Sequence, residues 1–123
     1  MGDYPRYVQI RQDEPIAAGV PCPIGNTTVV PWRPEPTYGA DIGFVVRVKN
    51  VGANPITQIT LRGADDGAGL NAYKNVDGNV LAPGDVRYIS PAGPNPPYWD
   101  LIITDAAPTA VDVLLIRQLL VQN

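Results

Sequence analysis

Apolar and polar side chains alternate along the middle of the chain. Ile42, Phe44, Val46 and Val48 fall on one parity and Arg47 and Lys49 on the other, the period-two signature of a strand with one dry face. A second alternating run sets Thr57, Ile59 and Leu61 against Gln58, Thr60 and Arg62. Between them, Asn50-Val51-Gly52-Ala53-Asn54-Pro55 holds residues that turn a chain: Gly and Asn tolerate positive φ, and Pro supplies no ladder donor. The pattern predicts two antiparallel strands joined as a hairpin over Ile42–Arg62. A lone hairpin is marginal in water, so a second sheet must cover it.

The same alternation marks short strands on either side. Tyr7–Arg11 predicts a first, edge strand ended by Asp13-Glu14-Pro15, followed by a surface connection from Ile16 to Asn26. Thr27–Trp32 is a second strand, which Pro31 confines to an edge or a strand end. Leu70–Val76 and Val86–Ser90 are weaker candidates, with Asp77-Gly78 as a hairpin-turn signal and Pro83-Gly84 as a second turn. In Tyr98–Thr104, Trp99, Leu101 and Ile103 share a face, and Trp99 reads as a core anchor. The last segment, Val111–Val121, is apolar on both faces as a strand: Val113, Leu115, Leu119 and Val121 oppose Leu114, Ile116 and Leu120. As a helix it has a capping box at Thr109 and Asp112 and i, i+4 leucine pairs. Its β-branched content and all-β surroundings favour a strand, either central in a sandwich or at a subunit interface.

Fourteen prolines and 12 glycines in 123 residues separate these runs without forming a low-complexity tract. Seven to eight short strands with no long helix predict a single all-β domain over 1–123, an antiparallel sandwich of jelly-roll or immunoglobulin-like type. Prolines crowd 31–38 and 91–97, where stiff arms are expected.

Charge and chemistry narrow the function classes. The net charge is −3, and the nine basic residues are scattered, so no basic patch for nucleic acid is expected. No run approaches the about 20 apolar residues of a membrane span, and no signal sequence opens the chain, so a soluble protein made in the cytoplasm is expected. The lone Cys22, between Pro21 and Pro23, has no disulfide partner and reads as a small buried apolar group. With no histidine in the chain, Ser-His-Asp and Cys-His catalysis and histidine-ligated metals are excluded. Asp65 and Asp66, in a glycine-rich loop with Asn71, are weak candidates for calcium, but the loop lacks EF-hand spacing and a bidentate Glu, so a solvated turn is expected. No catalytic residue, cofactor or metal is expected, and an enzyme is disfavoured.

Two non-enzymatic readings remain. A carbohydrate- or ligand-binding module would use Trp32, Tyr38, Tyr73, Tyr88 and Tyr98. An assembly protein would use its proline-restricted arms, which lose little entropy on docking, and its two-faced terminal strand. Interface candidates are Trp32, Pro34, Pro36, Tyr38, Pro94, Pro96, Pro97, Leu114, Ile116 and Leu120.

The run Gly78-Asn79-Val80-Leu81-Ala82-Pro83-Gly84-Asp85, the strand Tyr98-Trp99-Asp100-Leu101-Ile102-Ile103-Thr104 and the apolar closing strand from Val111 resemble small virion proteins of tailed bacteriophages. Val48–Leu61 is also similar to immunoglobulin-like and jelly-roll modules with an Asn-x-Gly turn. The resemblance covers roughly the second half of the chain. It implies a capsid decoration (cement) protein, a homotrimer on a shell of major capsid protein, localised to the virion.

Overall fold

The computed structural model describes the backbone of residues 7–35, 40–91 and 96–122, and the side chains of 11–35, 44–91 and 96–117. Eight strands follow in order: β1 (Tyr7–Cys22), β2 (Gly25–Pro34), β3 (Ala40–Asn50), β4 (Ile56–Ala64), β5 (Tyr73–Asp77), β6 (Val86–Ile89), β7 (Tyr98–Asp105) and β8 (Thr109–Gln122). They form two four-stranded antiparallel sheets, β1-β8-β3-β6 and β2-β7-β4-β5, here sheet A and sheet B. Of the two sandwich types the sequence left open, this order is the jelly roll. An immunoglobulin sandwich keeps several consecutive strands as neighbours. Among the described strands only β4 and β5 are consecutive and paired.

The core lies between the sheets and is built from the expected faces. Phe44, Val46 and Val48 of β3, Val111, Val113 and Leu115 of β8, and Ile59 and Leu61 of β4 meet Trp99, Leu101 and Ile103 of β7, all buried. Trp99 is fully buried and contacts Phe44 at 5.8 Å between ring centroids, so it is the core anchor its alternation indicated. β8 is a strand, and a central one, between β1 and β3. Cys22 is buried as expected; burial, and then the charge of Asp105, push its thiol up to about 11, so it is no thiolate at neutral pH. Asp105 is itself buried, and among the described residues neither carboxylate oxygen has a hydrogen-bond partner.

Several expectations are corrected. Ile42–Arg62 is not a hairpin: β3 lies in sheet A and β4 in sheet B, and the Asn50–Pro55 loop crosses between them. Both strands have one apolar face, and facing each other across the core buries both faces at once. The crossing is pinned by Asn50, which is fully buried. Its Nδ2 donates to the carbonyls of Asn54 (2.8 Å) and Leu81 (3.0 Å), and its Oδ1 accepts from Thr109 Oγ1 (2.7 Å) and the amide of Gly52 (3.2 Å). A Cβ on Gly52 would collide with Thr109 Oγ1 and the Ala110 amide, so glycine is required there by close approach.

Asp77-Gly78 likewise turns the chain without making a hairpin, since β5 and β6 belong to different sheets. Pro83-Gly84 is a turn as expected: the Asp85 amide donates to Ala82 O at 3.0 Å and Gly84 has φ 86°. β1 does not end at Pro15 but runs on to Cys22, through register shifts between Pro15 and Val20, so Ile16–Cys22 is strand and not a loop. β1 is an edge strand, where a proline whose missing N–H faces outward costs no ladder bond, and Ile16, Ala17 and Val20 pack against the core. Pro31 and Pro34 lie within edge strand β2 and form no free arm.

Candidate functional site

The two outer faces of the sandwich differ in what they offer. On sheet A, register places Pro15, Leu114, Arg47 and Tyr88 in one row across all four strands, with Asp112, Lys49 and Val86 in the next. Tyr88 is 57% exposed and Val86 38% exposed, while Leu114 and Val45 are half-buried. Arg11 and Asp13 of β1 form a forked ion pair at 2.8 and 3.0 Å that holds the Asp13 carboxyl below its ordinary range, with Arg47 adding to the effect. The result is a sheet face of aromatic, aliphatic and arginine side chains carrying charges of both signs.

On sheet B the outer face is a polar groove of about 230 Å³ lined by Asn26, Gln58, Thr60, Arg62, Lys74 and Ile102. Its floor is the register pair Thr60 and Ile102 on the two central strands, and longer side chains rise at the margins. At one end Arg62 chelates Asp100 through Nε (2.8 Å) and Nη2, which raises the guanidinium pKa above its ordinary value. Trp32 lies over that guanidinium, 4.8 Å from ring centroid to Cζ. A register shift in β2 between Val30 and Arg33 sets this up. Simple alternation from the buried Val30 would turn Trp32 inward; with the shift it is Arg33 that lies over the core ring of Trp99, at 5.7 Å.

The loop 65–71 packs against Trp32, because Gly69 lies so close that a Cβ there would be 3.1 Å from the ring. Asp66 holds this loop: its Oδ1 accepts the amides of Ala68 (2.9 Å) and Leu70 (3.0 Å), and these bonds hold its pKa below the usual carboxylate value. Asp65 Oδ2 accepts from Asn71 Nδ2 at 2.8 Å. The two weak metal candidates are thus engaged by their own loop, and no group of three or more Cys, Asp or Glu side chains among the described residues is placed to hold a metal ion.

The remaining interface candidates scatter. Trp32 is half-buried against the Arg62 guanidinium, and Pro34 is exposed at the end of β2. Pro96 is buried, within 2.7 Å of where a Gly63 Cβ would lie, and Pro97 is exposed, its carbonyl accepting the Glu35 amide at 2.8 Å. Leu114 and Ile116 both lie on the outer face of sheet A, but Ile116 is already only 4% exposed within the monomer, flanked in register by Asp13 and Val45. Pro36, Tyr38, Pro94 and the side chain of Leu120 lie outside the described residues. Of the aromatics, Trp32, Tyr73 and Tyr98 gather around the 63–69 segment, whereas Tyr88 is on the opposite sheet.

Sequence reasoning did not single out Asn26, Gln58, Thr60, Arg62, Lys74 or Asp100 as a group. The one signal present was the polar parity of Gln58, Thr60 and Arg62, which marks an outward face without naming the strands beside it. Comparison with known protein families and with curated proteins finds no match to this chain.

Proposed function

We propose that the protein is a structural virion subunit, a capsid decoration protein that self-associates as a trimer through the outer face of sheet A and stabilises a shell of major capsid protein. The observation that carries this is the Leu114–Arg47–Tyr88 row, with Val86 beside it: exposed Tyr88 and Val86 next to half-buried Leu114 and Arg47 on a firm sheet match the composition of interface centres. The same face holds Arg47, Lys49, Asp13 and Asp112, so a second copy meets opposite charges in turn. Jelly rolls recur in viral capsid proteins, which supports the proposal by analogy of fold.

Sedimentation of the full chain tests it. A trimer is expected, and Tyr88→Glu and Leu114→Asp should each weaken association by more than about tenfold, near 1.4 kcal/mol, while circular dichroism stays that of the folded sandwich. Cosedimentation with purified phage shells should follow the trimer and fall in both variants. A chain that stays monomeric at high concentration and ignores the shells would refute the proposal.

A further inference from the structure

We infer that the groove on the outer face of sheet B binds one ring of an acidic saccharide, a sugar carrying a single carboxylate, with Lys74 as the counter-charge. Arg62 is one lining cation, but Asp100 chelates it and the Asp100 side chain is 1% exposed, so this pair presents almost no net charge to the groove. Among the described residues Lys74, exposed on β5 directly opposite Arg62 in register, forms no ion pair, and no carboxylate lines the groove. One positive charge is therefore left over, set against neutral polar walls.

Those walls are fixed in orientation by their own hydrogen bonds. Asn26 Oδ1 accepts the Thr104 hydroxyl, which leaves the Asn26 amide N–H₂ as the free donor. Gln58 Nε2 donates to Thr60 Oγ1 at 3.3 Å, which leaves Gln58 Oε1 as the free acceptor. An amide donor and an amide acceptor on either side of an aliphatic floor, Ile102, suit a ring with hydroxyls at its rim and C–H groups on its face. The volume, about 230 Å³, is below the about 300–1,000 Å³ of sites for drug-sized ligands and fits one sugar ring. Trp32 is engaged by Arg62 and packed against Gly69, and it does not line the groove, so it is not the stacking platform itself. Recognition is thereby carried by hydrogen bonds and charge, which selects an acid over a neutral sugar. The site is on the opposite face from the proposed contact between copies and does not depend on it.

Titrating the isotope-labelled full chain with glucuronate, glucose and acetate, read by amide chemical shifts, tests the inference. Glucuronate should perturb Gln58, Thr60 and Lys74 most, with weaker perturbation by glucose and by acetate at equal concentration. Lys74→Gln should lower glucuronate affinity by roughly three- to fivefold, the worth of one exposed ion pair, and bring it level with glucose. Ile102→Phe, which fills the floor, should remove binding of both sugars while the spectrum elsewhere stays folded. No perturbation by glucuronate at tens of millimolar would overturn the inference. So would a response that Lys74→Gln leaves unchanged, or one that acetate reproduces in full.

Discussion

Each outer face carries one forked arginine–aspartate pair, and the two forks are chemically alike. Arg11 grips Asp13 through Nε and Nη2, and Arg62 grips Asp100 through the same two nitrogens. Their surroundings are opposite. The Arg11 and Asp13 side chains are 54% and 37% exposed and lie two residues apart on one edge strand. Asp100 is buried to 1%, its partner lies directly opposite on the neighbouring central strand and 38 residues away in sequence, and Trp32 lies over the guanidinium. Geometry alone therefore does not set what an ion pair contributes. Water screens the first fork and the two residues are already local in sequence, so closing it constrains nothing. The second replaces the solvation of a carboxylate that has no other recourse, and losing either partner strands the other.

Three substitutions sharpen the contrast. Asp100→Ala should be the most damaging, lowering stability by about 2–3 kcal/mol in urea titration; this is below the full cost of breaking a buried pair because Arg62 keeps some contact with water. Next comes the Asp77–Arg87 pair (2.5 Å), which is half-buried and links β5 of one sheet to β6 of the other. The Asn79 amide, and then Arg87, hold the Asp77 carboxyl below its ordinary value. A folded-state pKa lower than the unfolded one gives stability that is complete above the unfolded value, near 3.9, and is lost as pH falls through the folded one. Asp77→Asn should therefore cost some stability at neutral pH and flatten the decline of melting temperature below about pH 4. Smallest is Asp13→Ala, for which the melting curve at neutral pH should overlay that of the parent chain. A large loss there, or none in Asp100→Ala, would show that burial does not separate the two forks.

How far the sequence could be read follows from the range of each signal. Trp99, Leu101 and Ile103 were legible as a core face because alternation is local and each of them is buried. The strand nature of Val111–Val121 followed from its β-branched residues and its all-β surroundings, and the strand extends slightly beyond it, over Thr109–Gln122. Pro83-Gly84 was legible because a turn of four residues is a complete physical unit. Asn50-x-Gly52 marked a turn, but not that the next strand leaves the sheet; that depends on which partner buries Ile59 and Leu61, and the partner is β7, some 40 residues on. Pro15 was read as a terminator because proline supplies no ladder donor, yet on an edge strand its missing N–H can face outward and the strand runs on. Trp32 shares parity with Val30, and only the irregular register of β2 sets it over Arg62. The groove was the least legible feature, since Asn26, Gln58 and Lys74 come from three strands whose neighbours are settled by topology.

The strand order also bears on how the protein is made. The first strand pairs with the last, and β8 also supplies the neighbour that β3 needs. A nascent chain leaving the ribosome thus carries β1 and β3 without the strand that lies between them until β8 has been synthesised. β3 and β6 can pair before that, but sheet A is complete only after that segment emerges, and a chain cut before Thr109 leaves β1 and one edge of β3 with unpaired backbone groups, an invitation to aggregate.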